Sequence, residues 1–222
     1  MKVSAVVFDF DGTLVESNAL KRQGFFDLVA GDAVGLAVMH KVLENAVGDR
    51  HSVLTAYAEL CARKGVVCAD IGTLVQRYSA SVDSSVAAAP EIFGVTELIH
   101  RLRTAGCRIY LSSATPLPNL VDIVKQRHWE TWFNGVFGNP SQKSETLSRI
   151  QAEQSLTAQE MAVVGDGTDD RDSARRIGCA FFPVGEARGL LADERAYTLA
   201  EVADALLNPT TTHLLLKYDQ NT

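Results

Sequence analysis

The segment VVFDFDGTLVES, residues 6–17, closes an apolar, β-branched run with two carboxylates, Asp9 and Asp11, and then a glycine. Residues 3–10 read as a fully buried strand. A carboxylate taken out of water costs free energy unless a partner holds it, so the rest of the chain must supply partners for both. The two aspartates stand two residues apart and point to one side if strand geometry persists. Gly12 lets the backbone turn sharply and aim N–H groups at an anion. Read alone, Asp-Gly is also an ordinary turn after a strand.

The pattern on either side of this segment decides the fold class. From about residue 17 to 88 the apolar period becomes helical: Val34, Val38 and Val42 with Met39 and Leu43, then Val53, Leu54, Tyr57, Leu60 and Cys61, then Ile71, Leu74, Val75, Tyr78 and Val82. Gly31, Gly48 and Gly65 are the expected breaks. After Pro90 helices and strands alternate. A helical face of Val95, Leu98, Ile99 and Leu102 leads to a strand at CRIYLS, and helix 119–127 to a short strand at GVFG. Helix 144–154 precedes a strand at 161–164, helix 172–177 a strand at CAFFPV, and helix 201–207 comes last. Trp129, Trp132 and Phe133 read as core, and the tail from Asn208 is unassigned. Strands separated by helical crossovers imply an α/β fold, a parallel Rossmann-like sheet with both faces covered. The expected domains are a core of residues 1–16 and 89–222 and an inserted all-helical unit of residues 17–88.

Composition narrows the function. A formal charge of −6 argues against wide contact with nucleic acid, while one metal ion and one lysine could still bind a small anion locally. Cys61, Cys68, Cys107 and Cys179 form no CxxC and read as reduced thiols of a cytoplasmic protein. No basic and apolar leader opens the chain, and no apolar run is long enough to span a bilayer. No GxGxxG or Walker A pattern follows a strand, which disfavours a nucleotide-binding module.

Polar residues gather at the carboxyl ends of the expected strands, where open α/β sheets bind ligands. The first strand ends in Asp9 to Thr13, the second in Ser112 to Thr115, and the fourth in GDGTDD, residues 165–170; Lys143 precedes the helix before the fourth. Carboxylates crowded together become tolerable when they share a divalent cation, and oxygen-only ligands suit Mg²⁺. A hydroxyl and a lysine supply the donors that phosphate oxygens need. Asp169 and Asp172 read as helix-capping residues.

Taken in order, these pieces resemble the four motifs of the haloacid dehalogenase-like (HAD) phosphohydrolase superfamily, in its phosphoglycolate phosphatase and β-phosphoglucomutase-like branch. DFDGTLVES resembles motif I, YLSSAT motif II at Ser113, the lysine of GNPSQKSE motif III, and VVGDGTDD motif IV at Asp166 and Asp170. The resemblance implies that residues 17–88 form a cap and that Asp9 attacks phosphorus to give an aspartyl-phosphate. It implies that Asp11, with a raised pKa, protonates the leaving group and then activates water. Mg²⁺ would be held by Asp9, the backbone carbonyl of Asp11 and Asp166, with Asp170 close by or acting through water. Ser113 and Lys143 would bind the transferring phosphoryl group, with Gly12, Thr13 and Ala114 lining its site. Arg50, in VGDRHS, stands where some relatives place a substrate-binding arginine; a surface arginine is the plainer reading, as it is for His51, Lys21 and Arg22. Glu16, Ala114 and Gly167 depart from the commonest family residues without removing a reacting group. Asp11, absent from dehalogenase members, favours phosphoryl transfer. The expected activity is therefore Mg²⁺-dependent hydrolysis of a small phosphorylated metabolite. A phosphomutase on the same scaffold is the nearest alternative, and a non-catalytic binding domain a more distant one.

Overall fold

A computed structural model describes residues 3–45, 49–187 and 195–208. The tail beyond Asn208 and the break expected at Gly48 lie outside these residues. Fifteen regular elements are present among the described residues, and five of them are strands in one parallel sheet. The α/β class expected from the alternating pattern is the class found. The strands are β1 (Ala5–Phe8), β2 (Arg108–Pro116), β3 (Gly135–Asn139), β4 (Met161–Gly165) and β5 (Ala180–Pro183), in the order β3-β2-β1-β4-β5. The central strand β1 pairs Phe8 with Leu111 of β2 on one side and with Val164 of β4 on the other. The order reverses direction between β1 and β4, and such a reversal opens a crevice beyond the strands' carboxyl ends.

β1 reads AVVF and every residue of it is buried, as a central parallel strand covered on both faces requires. Ala5, Val7, Tyr110, Met161 and Val163 form one apolar cluster with Leu147, Ile150 and Ala174. The alternating neighbours Val6 and Phe8 are also fully buried. Helices α5 (Val95–Thr104) and α6 (Leu117–Gln126) pack against β2, while α7 (Lys143–Gln154) and α8 (Thr168–Ile177) pack against each other. Trp129 is buried and stacks on half-buried Trp132, with ring centroids 4.4 Å apart. A last helix, α9 (Leu199–Leu207), packs on α5.

The chain divides into two compact units, one of residues up to Glu16 and from Pro90 onward, the other Ser17–Ala89. The second unit is helical: α1 (Asn18–Asp27), α2 (Ala33–Asn45), α3 (Arg50–Arg63) and α4 (Ile71–Ala87). Its core stacks Phe25 on Tyr78 at 4.3 Å. Asp49 and Asp70 cap α3 and α4, accepting from Ser52 N at 2.9 Å and Thr73 N at 3.0 Å; each such cap contributes about 1 kcal/mol. Val34, expected on the inner face of α2, is 53% exposed, whereas Val38 and Val42 are buried. Ala89 remains with this unit: it is buried, and its N–H bonds Val86 O. In the first unit the stretches on either side of the insertion run side by side. Glu16 N donates to Pro90 O at 2.9 Å, Ile92 N to Leu14 O at 3.0 Å, and Val15 and Glu91 form an antiparallel bridge.

Several sequence boundaries move, two of them beside the polar strand ends. β2 continues to Pro116, through the SSAT that reads as the strand's polar end, with a register shift against β3 between Ser112 and Pro116. A ladder needs backbone groups rather than apolar side chains, so polar text does not stop it. α8 starts at Thr168 instead of Asp172, because Asp169 and Asp170 suit the positive end of a helix as well as they suit a loop.

Candidate active site

Asp9 follows β1 directly, and its N–H still bonds Val164 O of β4 at 2.9 Å. That bond ties the first aspartate to the strand that delivers Gly165 and Asp166. Asp9, Asp166 and Asp170 are all buried, and each offers a carboxylate oxygen within 4.8 Å of the others. Lys143 reaches the same place from the first residue of α7. Its Nζ donates to Asp9 Oδ1 at 2.8 Å and to Asp170 Oδ1 at 2.5 Å, and it pairs with Asp169 Oδ2 at 3.0 Å. An ammonium at a helix N-terminus works against the helix dipole, at about 0.3–1 kcal/mol. The surrounding carboxylates outweigh that opposition.

Asp170 is fully engaged. Its Oδ1 accepts from Lys143 and its Oδ2 from Gly167 N at 3.1 Å, at the first turn of α8. It lies so close over Gly165 that a Cβ there would collide with its carboxylate. Glycine at that position is therefore part of how Asp170 is seated.

Asp11 belongs to a second chain of contacts. Thr115 Oγ1 donates to Asp11 Oδ2 at 3.3 Å, and Thr115 N donates to Ser113 Oγ at 3.1 Å. Ser113 and Thr115 are buried and Asp11 is half-buried. Gly12 takes φ +73°, a left-handed turn that permits its N–H to bond Val15 O at 2.9 Å. Thr13 is completely buried, and its Oγ1 has no hydrogen-bond partner among the described residues. Ala114 is exposed.

The sequence-predicted residues therefore fall into two sets: Asp9, Lys143, Asp166 and Asp170 converge directly, and Asp11 joins Ser113 through Thr115. Thr115 and Asp169 as contact residues, and Gly165 as the residue that makes room for Asp170, were not singled out by the motifs. Arg50 lies in the helical unit, where its guanidinium bonds Ser79 Oγ at 2.6 Å and Asp83 Oδ1 at 3.0 Å and covers the Tyr78 ring at 5.3 Å. His51 beside it is exposed.

Burial pushes the Asp9 carboxyl well above the usual range; Lys143 opposes this, and Asp170, Asp11 and Asp166 add to the rise. Burial likewise raises Asp170 from 3.8 to about 6, against the pull of Lys143 and with a further push from Asp169. For Lys143 burial works against the charge, yet Asp170, Asp9 and Asp169 together hold the ammonium well above its ordinary range. Three carboxylates, Asp9, Asp169 and Asp170, thus face one ammonium, and Asp166 stands with Asp9 and Asp170. The donor set is buried, all oxygen and net negative, which is what a hard divalent cation such as Mg²⁺ requires.

A pH dependence follows. The folded protein holds the Asp170 proton more tightly than the unfolded chain, so this contribution to stability is complete below about pH 4 and is lost as pH rises through about 6. Asp9 shifts in the same sense. Lys143 adds no slope in this window, because its own loss begins above the ordinary lysine range. In EDTA, the thermal midpoint measured against that of Asp170→Asn is expected to fall between about pH 4 and pH 6.5, by the equivalent of a few kcal/mol. A cation needs the carboxylates ionised, so the stabilisation gained from added Mg²⁺ should grow over the same interval. A Mg²⁺ increment that does not change with pH would show that these carboxylates do not bind it.

The chain's resemblances agree with this geometry. The family model described as haloacid dehalogenase-like hydrolase matches residues 6–184. No curated protein matches. Among solved structures, the chain is similar to one named as a predicted phosphoglycolate phosphatase from Haemophilus somnus, at 14% identity and TM-score 0.72, covering 92% of this chain and 98% of that one. It is similar to YfnB of Bacillus subtilis, named as a HAD-hydrolase and bound to magnesium, at 16% identity and TM-score 0.68, covering 93% and 99%. CbbY of Rhodobacter sphaeroides, solved in complex with phosphate, matches at 18% identity and TM-score 0.65, covering 90% and 96%. At these identities the three likenesses concern the fold.

Proposed function

The chain belongs to the haloacid dehalogenase-like hydrolases, and on that premise we propose that it is a Mg²⁺-dependent phosphatase acting on a small phosphorylated metabolite. The observation that carries this reading is Lys143 bridging Asp9 and Asp170 at the crevice between β1 and β4. There a nucleophile, a cationic donor and a metal-binding carboxylate stand side by side. That proteins of the same fold are named as binding magnesium and phosphate is in keeping with it.

In the first step an Asp9 oxygen attacks phosphorus, the phosphorus–oxygen ester bond breaks, and Asp11 gives its proton to the departing alkoxide. In the second, Asp11 takes a proton from water; the resulting hydroxide attacks phosphorus, releasing phosphate and restoring Asp9. Thr115 holds the Asp11 carboxylate in place for both transfers. Lys143 and Ser113 hold the phosphoryl oxygens, with Gly12, Thr13 and Ala114 lining their surroundings. Asp9, Asp166, Asp170 and the carbonyl of Asp11 would hold Mg²⁺, which when bound neutralises phosphoryl charge. Residues 17–88 serve as the cap that selects the substrate, and Arg50 contributes to that selection by fixing the α3–α4 pair through Asp83.

Among the described residues no helix is long and apolar enough to cross a membrane. The four cysteines are thiols, as suits the cytoplasm. Phosphate release from a panel of phosphorylated metabolites tests the reading. Release from at least one compound is expected with Mg²⁺ and none in EDTA; equal release in both would dismiss the metal-dependent mechanism.

A further inference from the structure

Lys143 is surrounded before any substrate arrives. Asp9 and Asp170 take two directions of its ammonium by hydrogen bonds, and Asp169 Oδ2 lies 3.0 Å from the same nitrogen as an ion pair. An ammonium has three donors, and a phosphoryl oxygen approaching this one must share it with three carboxylates already within 3.0 Å. The three partners are not equally displaceable. The side chain of Asp170 is 2% exposed and both its oxygens are occupied. That of Asp9 is 9% exposed. The side chain of Asp169 is 61% exposed and can return to water with little desolvation to undo. It sits in the first turn of α8, where the helix dipole tolerates it without Lys143.

We propose that Asp169 is a placeholder: its exposed carboxylate pairs with Lys143, gives way to the incoming phosphoryl group, and thereby sets how tightly phosphate esters and released phosphate bind. This rests on the phosphatase reading above. Asp169 is a positioning residue, acting through Lys143 and touching no reacting atom. Its cost is borne by affinity: a dianion entering beside it must compete with a charge of its own sign. Removing that charge strengthens binding of ground state and transition state alike, which lowers KM and leaves kcat nearly unchanged.

The test compares the 222-residue chain with Asp169→Asn, Asp169→Ser and Asp169→Glu, using p-nitrophenyl phosphate turnover at saturating Mg²⁺ and inorganic phosphate binding by calorimetry. Asn and Ser are expected to lower KM and the phosphate dissociation constant together, by about two- to fivefold, the size of a partly exposed ion pair. Glu, which keeps the charge, should return both toward the original values. If the unaltered protein binds phosphate and turns over, but Asn and Ser leave KM and phosphate affinity unchanged, the placeholder is wrong and the phosphatase reading stands. If either variant loses kcat at constant KM, Asp169 acts in the chemistry and the proposal fails. If the unaltered protein neither binds phosphate nor releases it, both readings fall together.

Discussion

Asp9→Asn is expected to abolish phosphate release, with a loss on the order of 10⁴-fold in turnover, while leaving the metal-free protein as stable as before or more so. The two halves of this result have one cause. Asp9 is 7% exposed and sits among Asp170, Asp11 and Asp166, with Lys143 opposing their charge. Its charge is expensive to hold there, and asparagine, the same shape without the charge, removes that expense. Lys143 keeps Asp170 and Asp169, so no ammonium is stranded. What disappears is the proposed nucleophile, because an amide oxygen does not displace an alkoxide from phosphorus. Phosphate release and a thermal melt in EDTA, made on the same preparation, check both halves. Turnover within tenfold of the unaltered protein would remove Asp9 from the mechanism. A large fall in thermal midpoint would show that the charge is structural.

Lys143→Met is expected to fail in the opposite way, losing stability as well as activity. Methionine fills the space of the stem but leaves Asp9 and Asp170 buried together with no cation. Breaking a buried pair in this manner costs about 3–5 kcal/mol, or very roughly 6–20 °C in midpoint for a protein of this size. Added Mg²⁺ should recover part of the lost stability by pairing the carboxylates, and should recover none of the turnover, since the donor to the phosphoryl oxygens is gone. Adding Asp170→Asn to Lys143→Met should restore stability without activity. Melts with EDTA and with Mg²⁺ on the single and double variants decide the matter. An unchanged midpoint for Lys143→Met in EDTA would mean the carboxylates are already neutral there, and the charge reading of the site would be wrong.

Much of the site could be read from the chain because its pieces are local. Asp9, Ser113, Lys143 and Asp166 each close or follow an apolar strand or open a helix, and the alternation of periods brings strand ends to one edge. Which strand lies beside which is set by the sheet order, and that order brings Asp9 to Val164. Less legible were partners chosen by side-chain reach. Thr115 is one hydroxyl in a polar run, and only the continuation of β2 past Ser113 carries it to Asp11. Asp169 looks like any acidic residue in a first helical turn, and its pairing with Lys143 spans a loop, a helix and a strand. Arg50 and Asp83 lie on different helices, and periodicity gives a residue's face without naming its partner. The need for glycine at 165 likewise comes from how Asp170 lies over it.

The side-by-side run of residues 14–16 and 90–92 makes the helical unit exchangeable. The polypeptide leaves and rejoins the sheet-bearing unit through neighbouring backbone, with Glu16 N bonded to Pro90 O. The two stretches are close enough for a short turn to join them. On the proposed reading, in which residues 17–89 select the substrate, that selection can diverge through insertion, deletion or wholesale substitution while the carboxylates, the lysine and the strands that seat them stay fixed. In a protein built this way, the chemistry and the choice of what it acts on are inherited separately.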